Sequence, residues 1–521
     1  MSETACRIGI DVGGTNTDAV LMKGRDVIAT AKSFTTADVR TGVVNAVTMI
    51  LDQAPDHRGA VSAVMIGTTQ FVNAFVQRRG LSPVAIVRVS LPKANGVPPL
   101  AGWPDDLADT IGGHIYMIGG GSHYHGKDYA PLDEQAVRAA AIDAGAKGLR
   151  AFAVTSTFAP IRPDLEEKAA AIIREIVPDA RITLSARVGG LGLIDRENAA
   201  IINASLADMA RDVIASLKAA FQSLGILAPI YISQNDGTLI STEVAADFPI
   251  LTCSAGPTNS IRGAAFLTGL DEAVVADIGG TTTDIGFLKN GFPRETTAAN
   301  YIGGVRTNFR MPDVMSIGVG GGSLVRQSGD GWRTGPESVG FRLREEARIF
   351  GGATLTASDI AVRAGQADIG DPSLVADLPD AVVEAALADI HEQIAETIDQ
   401  IKTSDHPLPL VLVGGGSILV SREIRGTSQV LRPDHAEVAN AVGAAIALVS
   451  GRVDKLYDVV ALGRDAAIDL AKSEAVAAAV EAGAVPGETD IVEIIELPMT
   501  HMQSGGTQIR VRAVGPLAGI S

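Results

Sequence analysis

Short apolar runs alternate with turn residues along the first part of the chain. Three such runs, RIGIDV, TDAVLM and VIATAK, lie within residues 7–32 and are each long enough for a strand. The next segment, TGVVNAVTMILDQA, has apolar residues at helical spacing, and the apolar runs SAVMIG and SPVAIVRVS follow it. This alternation of strand and helix patterns predicts an α/β fold.

The pattern changes in two later parts of the chain. Between about 91 and 132 it loosens into Gly, Pro and His, which indicates an inserted loop region. From about residue 453 the order is strand, helix, strand, strand, which predicts a small separate α/β unit. Between these parts, EVANAVGAAIALVSG is a helix of small residues that can pack very closely on a neighbour.

Composition and charge narrow the class of protein. The chain has 521 residues, 46% hydrophobic and 20% charged, so it is too long for one core and ordinary for a soluble protein. Its formal net charge of −17 argues against nucleic acid or an anionic membrane as the main partner. Only two cysteines are present, and no signal peptide or membrane span is recognisable, so we expect a cytoplasmic protein.

One stretch of the chain occurs twice in nearly the same form. GIDVGGTNTDAVLMKG begins at Gly9 and ADIGGTTTDIGFLKNG begins at Ala276. Neither copy contains the Gly-Lys-Ser/Thr of a P-loop. Both continue into strand-like residues, whereas a dinucleotide fingerprint continues into a helix. We therefore predict two β-hairpins with glycine turns.

Such hairpins can bind phosphate. Glycines let the backbone approach a phosphate, and consecutive amides and hydroxyls can donate to its oxygens. Two hairpins that face each other would clamp a triphosphate from both sides. The predicted phosphate-binding residues are Gly13, Gly14, Thr15, Asn16 and Thr17 in the first hairpin, and Gly279, Gly280, Thr281, Thr282 and Thr283 in the second.

Each hairpin also carries two aspartates at matching offsets. Asp11 and Asp277 precede the turns, where they can hold a hydrated Mg²⁺ or orient a water. Asp18 and Asp284 follow the turns, and a general base, support of the hydrated metal or a hairpin cap are equally open roles for them. We take all four as candidate catalytic residues.

A third glycine segment completes the expected nucleotide site. The apolar strand LVLV runs into a triple glycine, which would let an adenine ring lie against bare backbone. The predicted adenosine-binding residues are Gly414, Gly415, Gly416 and Ser417.

In this order, the motifs resemble the actin-like ATPase superfamily, which includes sugar kinases and heat-shock chaperone ATPases. Within it, residues 7–450 resemble the hydantoinase A/oxoprolinase family through DVGGTNTDAV, IGTTQFVNA, DRENAAIINASL, CSAGPTNSIRGAA and DIGGTTTDIGFLKNGFP. The resemblance implies two actin-like, ribonuclease H-like lobes around an ATP cleft. We accordingly expect a first lobe at 1–190, a second at 191–452 and a small C-terminal α/β domain at 453–521.

The resemblance also implies an activity. Members of the family use ATP to open cyclic amides or imides such as hydantoins, lactams and 5-oxoproline, by phosphorylating the ring carbonyl oxygen. With the aspartates described above, we expect ATP and Mg²⁺ as the cofactors. Many require a B-type subunit, so we expect a homo- or hetero-oligomer. A sugar-type kinase, an ATP-binding subunit of a ketone carboxylase and a non-catalytic ATP switch remain alternatives.

Several residues depart from the family pattern or invite other chemistry. Ile66 stands where the family commonly has His before Gly-Thr-Thr. His114, His123 and His125 lie close together in the sequence, which leaves a metal site or a structural role open. Cys253 precedes a glycine turn and is a candidate nucleophile with no base placed beside it by the sequence.

Overall fold

The computed structural model describes residues 5–14, 16–34, 39–296, 300–308, 311–329, 331–498 and 506–518. Strands and helices alternate through most of the chain. The strands are β1 (Cys6–Val12), β2 (Asn16–Lys23), β3 (Asp26–Phe34), β4 (Val61–Thr68), β5 (Val84–Leu91), β6 (His114–Gly119), β7 (Gly121–Ser122), β8 (Asp128–Ala130), β9 (Ala151–Ser156), β10 (Arg181–Leu184), β11 (Ile230–Ser233), β12 (Thr238–Ser241), β13 (Ala273–Ile278), β14 (Thr283–Lys289), β15 (Phe292–Pro293), β16 (Asn300–Ile302), β17 (Val305–Thr307), β18 (Val314–Ile317), β19 (Ser323–Ser328), β20 (Gly331–Ser338), β21 (Leu408–Val413), β22 (Thr427–Leu431), β23 (Leu448–Asp458), β24 (Asp490–Pro498) and β25 (Gly506–Gly515).

The helices connect these strands and cover the sheets. They are α1 (Val39–Gln53), α2 (Gln70–Val76), α3 (Asp105–Ile111), α4 (Glu134–Ala146), α5 (Asp164–Ile176), α6 (Leu193–Ser223), α7 (Thr242–Asp247), α8 (Ala255–Thr268), α9 (Leu343–Glu346), α10 (Ala357–Arg363), α11 (Asp380–Ile401), α12 (Ala439–Ala445), α13 (Val459–Leu462) and α14 (Arg464–Glu481).

Two sheets repeat one strand order. In the first lobe, β3, β2 and β1 are antiparallel neighbours, and β4 and β11 continue the sheet parallel to β1. In the second lobe, β18, β14 and β13 are antiparallel, and β21 and β22 continue parallel to β13. This shared order confirms the predicted pair of actin-like lobes. In each lobe the duplicated sequence forms the antiparallel hairpin of this shared order, β1–β2 in the first and β13–β14 in the second.

The side chains of β1 point alternately to the two faces of the first sheet, and each face is covered differently. Ile8 and Ile10 are fully buried in a hydrophobic cluster with residues of α1 and α6. Gly9 points to the opposite face, where an added Cβ would lie 2.1 Å from the carbonyl oxygen of Ala441 in α12. A strand that alternates large and absent side chains therefore lets α12 lie directly on the sheet.

Helices α8 and α12 cross in backbone contact between the lobes. A Cβ on Gly443 would lie 1.9 Å from the carbonyl oxygen of Asn259, and a Cβ on Gly263 would lie 1.9 Å from that of Ala439. Only glycine allows this approach. The predicted close packing of the small-residue helix is therefore present, although α12 ends at Ala445 and the chain then continues into β23.

The C-terminal elements extend the first sheet. Strand β23 pairs with β12, and β25 and β24 follow it outward, which gives the nine-stranded order β24-β25-β23-β12-β11-β4-β1-β2-β3. Helix α14 lies on these strands through fully buried alanines four residues apart: Ala467, Ala471, Ala475 and Ala479. The predicted boundary at 452/453 falls inside β23, and strands β11 and β12, which the sequence assigned to the second lobe, lie in the sheet of the first. The domain division itself stays a prediction.

The segment between 91 and 132 contains more regular structure than the sequence pattern indicates. It contains α3, β6, β7 and β8. Strand β6 pairs with β5 in a separate parallel sheet of order β10-β9-β5-β6. The sequence pattern does not indicate these elements because glycines and prolines interrupt its apolar runs, whereas pairing with the buried strand β5 stabilises β6.

The α8–α12 crossing gives a stability prediction. We expect Gly443→Ala to lower the free energy of unfolding by about 1–3 kcal/mol, because the added methyl group must push two helix backbones apart. Thermal or urea unfolding measures this change. Gly59→Ala is the matched control, since no atom lies within 4 Å of its Cβ position, and it should leave stability nearly unchanged. Equal stability of both variants would contradict the close crossing.

Candidate functional site

The aspartates of the first hairpin lie in one row across three strands. Asp11 of β1 is opposite Asp18 of β2, and Asp18 is opposite Lys32 of β3. We call Asp11, Asp18 and Lys32 the first row. The Lys32 Nζ lies 2.6 Å from Oδ1 of Asp18, so the row contains an ion pair.

The second hairpin repeats this arrangement. Asp277 of β13 is opposite Asp284 of β14, and Asp284 is opposite Ser316 of β18. We call these three residues the second row. Ser316 donates a hydrogen bond to Asp284 at the position where Lys32 pairs with Asp18. The two rows therefore match in register and differ in their third residue.

Both rows open into one cavity of about 670 Å³ between the lobes. The predicted site residues that line it are Asp11, Gly13, Gly14, Asn16, Asp18, Asp277, Gly279, Gly280, Thr281, Thr282, Asp284, Gly414, Gly415 and Gly416. The three motifs, far apart in sequence, thus meet at one place.

Four predicted residues do not contribute a described side chain to this cavity. Thr15 lies outside the described residues. Thr17, Thr283 and Ser417 are buried and do not line the cavity, and the Thr283 hydroxyl donates to the carbonyl oxygen of Val319 at 2.6 Å. The physical reason is strand alternation, because Asp18 and Asp284 face the cavity and the threonines before them face the other way.

The two hairpin turns are closed in the same manner. The Gly13 amide donates to the carbonyl oxygen of Asn16 at 3.0 Å, and the Gly279 amide donates to that of Thr282 at 2.9 Å. Nothing lies within 4 Å of the position that a Cβ would take on Gly14 or Gly280. Both turns therefore present exposed backbone to the cavity, as phosphate binding requires.

Two further glycine turns support the second hairpin. Gly321 and Gly322 donate their amides to the carbonyl oxygens of Gly279 and Gly280 at 3.0 and 2.7 Å. Gly414, with φ +81°, lies against Asp277, because a Cβ there would be 2.4 Å from Oδ1 of that residue. The predicted adenosine turn therefore contacts the second hairpin. The role of the 320–322 turn was missed, although SIGVGGGS is visible in the sequence.

The crossing helices supply polar partners for the rows. Ser260 of α8 donates a hydrogen bond to Asp277. Asn440 of α12 donates to both Asp11, at 3.1 Å, and Asp18, at 2.9 Å. Sequence reasoning missed both residues. The signal for Asn440 was a lone polar side chain within a helix of small residues. Ser260 had no such signal, because Thr258, Asn259 and Arg262 surround it in the sequence.

Burial and mutual repulsion disfavour the charged forms of these carboxylates. Burial, together with the charges of Asp18 and Asp277, raises the pKa of Asp11 to about 7. Burial raises the pKa of Asp277 to about 6, against the opposing Ser260 hydrogen bond and Lys32 charge. Burial also raises the pKa of Asp284. A cation at this position would relieve the repulsion.

The site fits a hydrated Mg²⁺. Oδ1 of Asp11 is buried without a hydrogen-bond partner, and Asn259 lies beside it outside bonding geometry. In the part of the chain that the structure describes, no three His, Cys, Asp or Glu side chains are grouped to hold a metal directly. A magnesium ion does not need such a group, because it keeps several waters and binds through one or two carboxylates.

The other candidates lie elsewhere or lack the required chemistry. His114 is in β6, whereas His123 and His125 lie in the turn between β7 and β8 with stacked rings 5.1 Å apart, outside the cavity. Cys253 lines the cavity, but burial raises the pKa of its thiol to about 12, so it stays protonated and is a weak nucleophile. Ile66 is fully buried in the hydrophobic cluster on the other face of the sheet.

Family comparison agrees with this geometry. The model of the hydantoinase/oxoprolinase N-terminal region matches residues 7–177, and the hydantoinase/oxoprolinase model matches residues 196–368. Together they match more than half of the chain. The chain belongs to the hydantoinase/oxoprolinase family. Among the residues that the structure describes, no helix combines the length and apolar composition needed to cross a membrane.

Two curated relatives are similar to this chain in sequence. The chain is 26% identical to caprolactamase subunit alpha of Pseudomonas jessenii over 436 residues, which are 76% of this chain and 60% of the relative. It is 25% identical to the acetophenone carboxylase gamma subunit of Aromatoleum aromaticum over 393 residues, 69% of this chain and 53% of the relative. The chain therefore spans between about half and two thirds of the length of these relatives.

Solved structures share the fold. The ATP-dependent caprolactamase from Pseudomonas jessenii matches with a TM-score of 0.79 at 19% identity, over 98% of this chain and 88% of that chain. Nucleotide-free acetone carboxylase matches with a TM-score of 0.68 at 17% identity, over 99% and 88%. The similarity extends over nearly the whole chain, including the C-terminal extension of the first sheet.

The raised pKa of Asp11 gives a prediction about stability and pH. A group whose pKa is raised by folding loses its stabilising contribution as the pH rises through the folded value, here about 7. The loss begins at the ordinary value of 3.8 and is complete above the folded value. In EDTA, Asp11→Asn should therefore raise the free energy of unfolding at pH 8 by about 1–3 kcal/mol and raise it by less at pH 5. Denaturant unfolding at both pH values measures the effect.

The control is Asp465→Asn, whose side chain is 96% exposed. It should leave stability unchanged at both pH values. An Asp11→Asn variant less stable than the native chain at pH 8 without metal would show that the carboxylate is not repelled by its neighbours.

Proposed function

We propose that this chain is an ATP-dependent cyclic amide hydrolase of the hydantoinase/oxoprolinase type, acting alone or as the A-type subunit of a larger enzyme. One observation carries the proposal: two matching Asp rows and two open glycine turns meet the Gly414–Gly416 turn in a single cavity. Such an arrangement suits a nucleotide triphosphate and a divalent cation. The similarity to caprolactamase subunit alpha supports the choice of a cyclic amide.

Different residues would bind the phosphates, the adenosine and the magnesium ion. The backbone of the Gly13–Gly14 and Gly279–Gly280 turns would hold phosphate oxygens. Gly414 to Gly416 would hold the adenosine. Asp11 and Asp277 would hold a hydrated Mg²⁺, which supplies positive charge to the phosphate oxygens when bound. Ser260 and Asn440 would keep the two carboxylates oriented.

In the proposed reaction, ring opening proceeds by phosphoryl transfer followed by the addition of two waters. The amide oxygen attacks the γ-phosphorus, the bond to the β-phosphate oxygen breaks, and ADP leaves. Water adds to the activated carbon, and the ring nitrogen leaves with a proton as an amine, which gives an acyl phosphate. A second water converts this to carboxylate and inorganic phosphate. Asp18 and Asp284 line the cavity and are the candidate bases for these waters.

A partner subunit fits the same proposal. The two curated relatives are named as subunits, alpha and gamma, of their enzymes. We therefore propose a B-type partner, or a second copy, for this chain, and a cytoplasmic location. The similarity to acetophenone carboxylase gamma subunit favours a second candidate, in which the same cavity phosphorylates a ketone for carboxylation.

The deciding experiment measures phosphate release and product structure together. The purified chain, Mg²⁺ and ATP are incubated with lactams, hydantoins, 5-oxoproline, simple ketones and sugars, with and without a B-type subunit. Ring-opened product equal to the phosphate released supports the proposal, and a requirement for the second subunit assigns the A-type role. A stable phosphorylated product would replace the proposal with a kinase. Absence of ATP binding would overturn it.

The metal assignment is tested by Asp277→Asn. The variant should reduce Mg²⁺-dependent phosphate release by at least about 10²-fold, because one of the two proposed metal ligands loses its charge. Its circular dichroism spectrum should remain unchanged. The exposed substitution Asp465→Asn should retain full turnover. Undiminished turnover of Asp277→Asn would exclude this residue as a ligand.

A further inference from the structure

The charges that line the nucleotide cavity are unequal. Among the described lining residues, five carboxylates accompany a single cationic side chain, Lys32. The carboxylates are Asp11, Asp18, Asp277, Asp284 and Glu437. A triphosphate brings several more negative charges into this space. Apart from a bound metal, Lys32 is therefore the positive charge that the described wall offers to it.

Comparison of the two rows shows that they differ at the position of Lys32. Register places Lys32 beside Asp18 as it places Ser316 beside Asp284, so the fold permits a small neutral residue at this point. The first lobe has a lysine instead. Structural support of the hairpin alone does not require that charge, because the second hairpin has the same strand pairing with a serine.

Lys32 is held with donors to spare. Its Nζ is 2.6 Å from Oδ1 of Asp18, while its side chain remains 37% exposed at the cavity. An ammonium group has three donors. The ion pair with the buried Asp18 fixes the end of a flexible side chain and leaves donors for a ligand.

The position of the adenosine turn indicates which phosphate Lys32 would meet. Gly414 and Gly416 pack on Asp277 and Gly279 of the second lobe. Because the first hairpin and Lys32 line the other side of the same cavity, a nucleotide whose adenosine lay against that turn would extend its phosphates toward the first lobe. Lys32 belongs to the first lobe and lines this cavity, so it lies on the side that the terminal phosphoryl group would reach.

We propose that Lys32 contacts the terminal phosphoryl group of ATP and balances its charge during transfer. This inference rests on the proposed function and deepens it by assigning a residue that distinguishes ATP from ADP. Lys32 forms no covalent bond and donates no proton to the product. It donates hydrogen bonds to phosphoryl oxygens, and Asp18 keeps its ammonium group in place.

Nucleotide affinity tests the assignment without requiring a known substrate. Dissociation constants for ADP and for a non-hydrolysable ATP analogue are measured by calorimetry, with Mg²⁺, on the full chain. Lys32→Gln should raise the dissociation constant of the ATP analogue about 10–100-fold, because charged hydrogen bonds to the terminal phosphoryl group are lost. The dissociation constant of ADP should change by less than about 3-fold. Lys32→Arg should recover part of the discrimination.

The matched control is Ser316→Ala, at the same position of the second row. Any change it causes should affect both nucleotides alike and leave their affinity ratio as in the native chain. Lys32→Gln retains a hydrogen-bond donor for Asp18, and thermal unfolding verifies that it is folded. Lys32→Ala, compared in the same way, should lose the discrimination at least as strongly.

The outcomes separate the inference from the proposed function. Suppose that the native chain binds the ATP analogue while Lys32→Gln lowers the affinity for both nucleotides equally, or for neither of them. In that case the assignment of Lys32 is wrong and the nucleotide site stands. If the native chain binds neither nucleotide, the proposed function and the assignment both fail. A selective loss of the ATP analogue supports the assignment whether or not a substrate is found.

Discussion

The close crossing of α8 and α12 is the constraint on which the site depends. Backbone contact at Gly263 and Gly443 brings one helix from each side of the cleft into a single unit. From this unit Ser260 reaches Asp277 and Asn440 reaches Asp11. The distance between the two Asp rows is therefore set by the contact of two helix backbones, which is far stiffer than a contact between side chains.

That stiffness allows like charges to be held together. Four carboxylates face one cavity, those of Asp11 and Asp18 buried and those of Asp277 and Asp284 half-buried. Folding raises the pKa of Asp11, Asp277 and Asp284 above their usual range. A flexible cleft would relax by separating them. A rigid one keeps the repulsion, so a cation that binds there would be favoured by relieving strain that the fold already carries.

The duplicated lobes provide similar binding surfaces with different chemistry. Both hairpins present an open glycine turn and two aspartates in the same register. Only the second hairpin is supported by the additional glycine turns at 320–322 and 414–416, and only the first row contains a lysine. This asymmetry gives the cavity two different ends, with the Gly414–Gly416 turn on the second lobe and Lys32 on the first. In the proposed function the adenosine would lie at the first of these ends.

The sequence by itself determined the two hairpins, the pairing of each Asp with its partner seven residues later, and the actin-like order of motifs. These follow from local spacing, because a tight turn fixes the register of its two strands. Strand alternation also excluded Thr17 and Thr283 from the cavity, an implication that the motif alone did not reveal. Long-range contacts decided the rest. Lys32, Ser260 and Asn440 joined the site, the segment at 91–132 became structured against β5, and the C-terminal strands extended the first sheet, since these depend on packing partners distant in the chain.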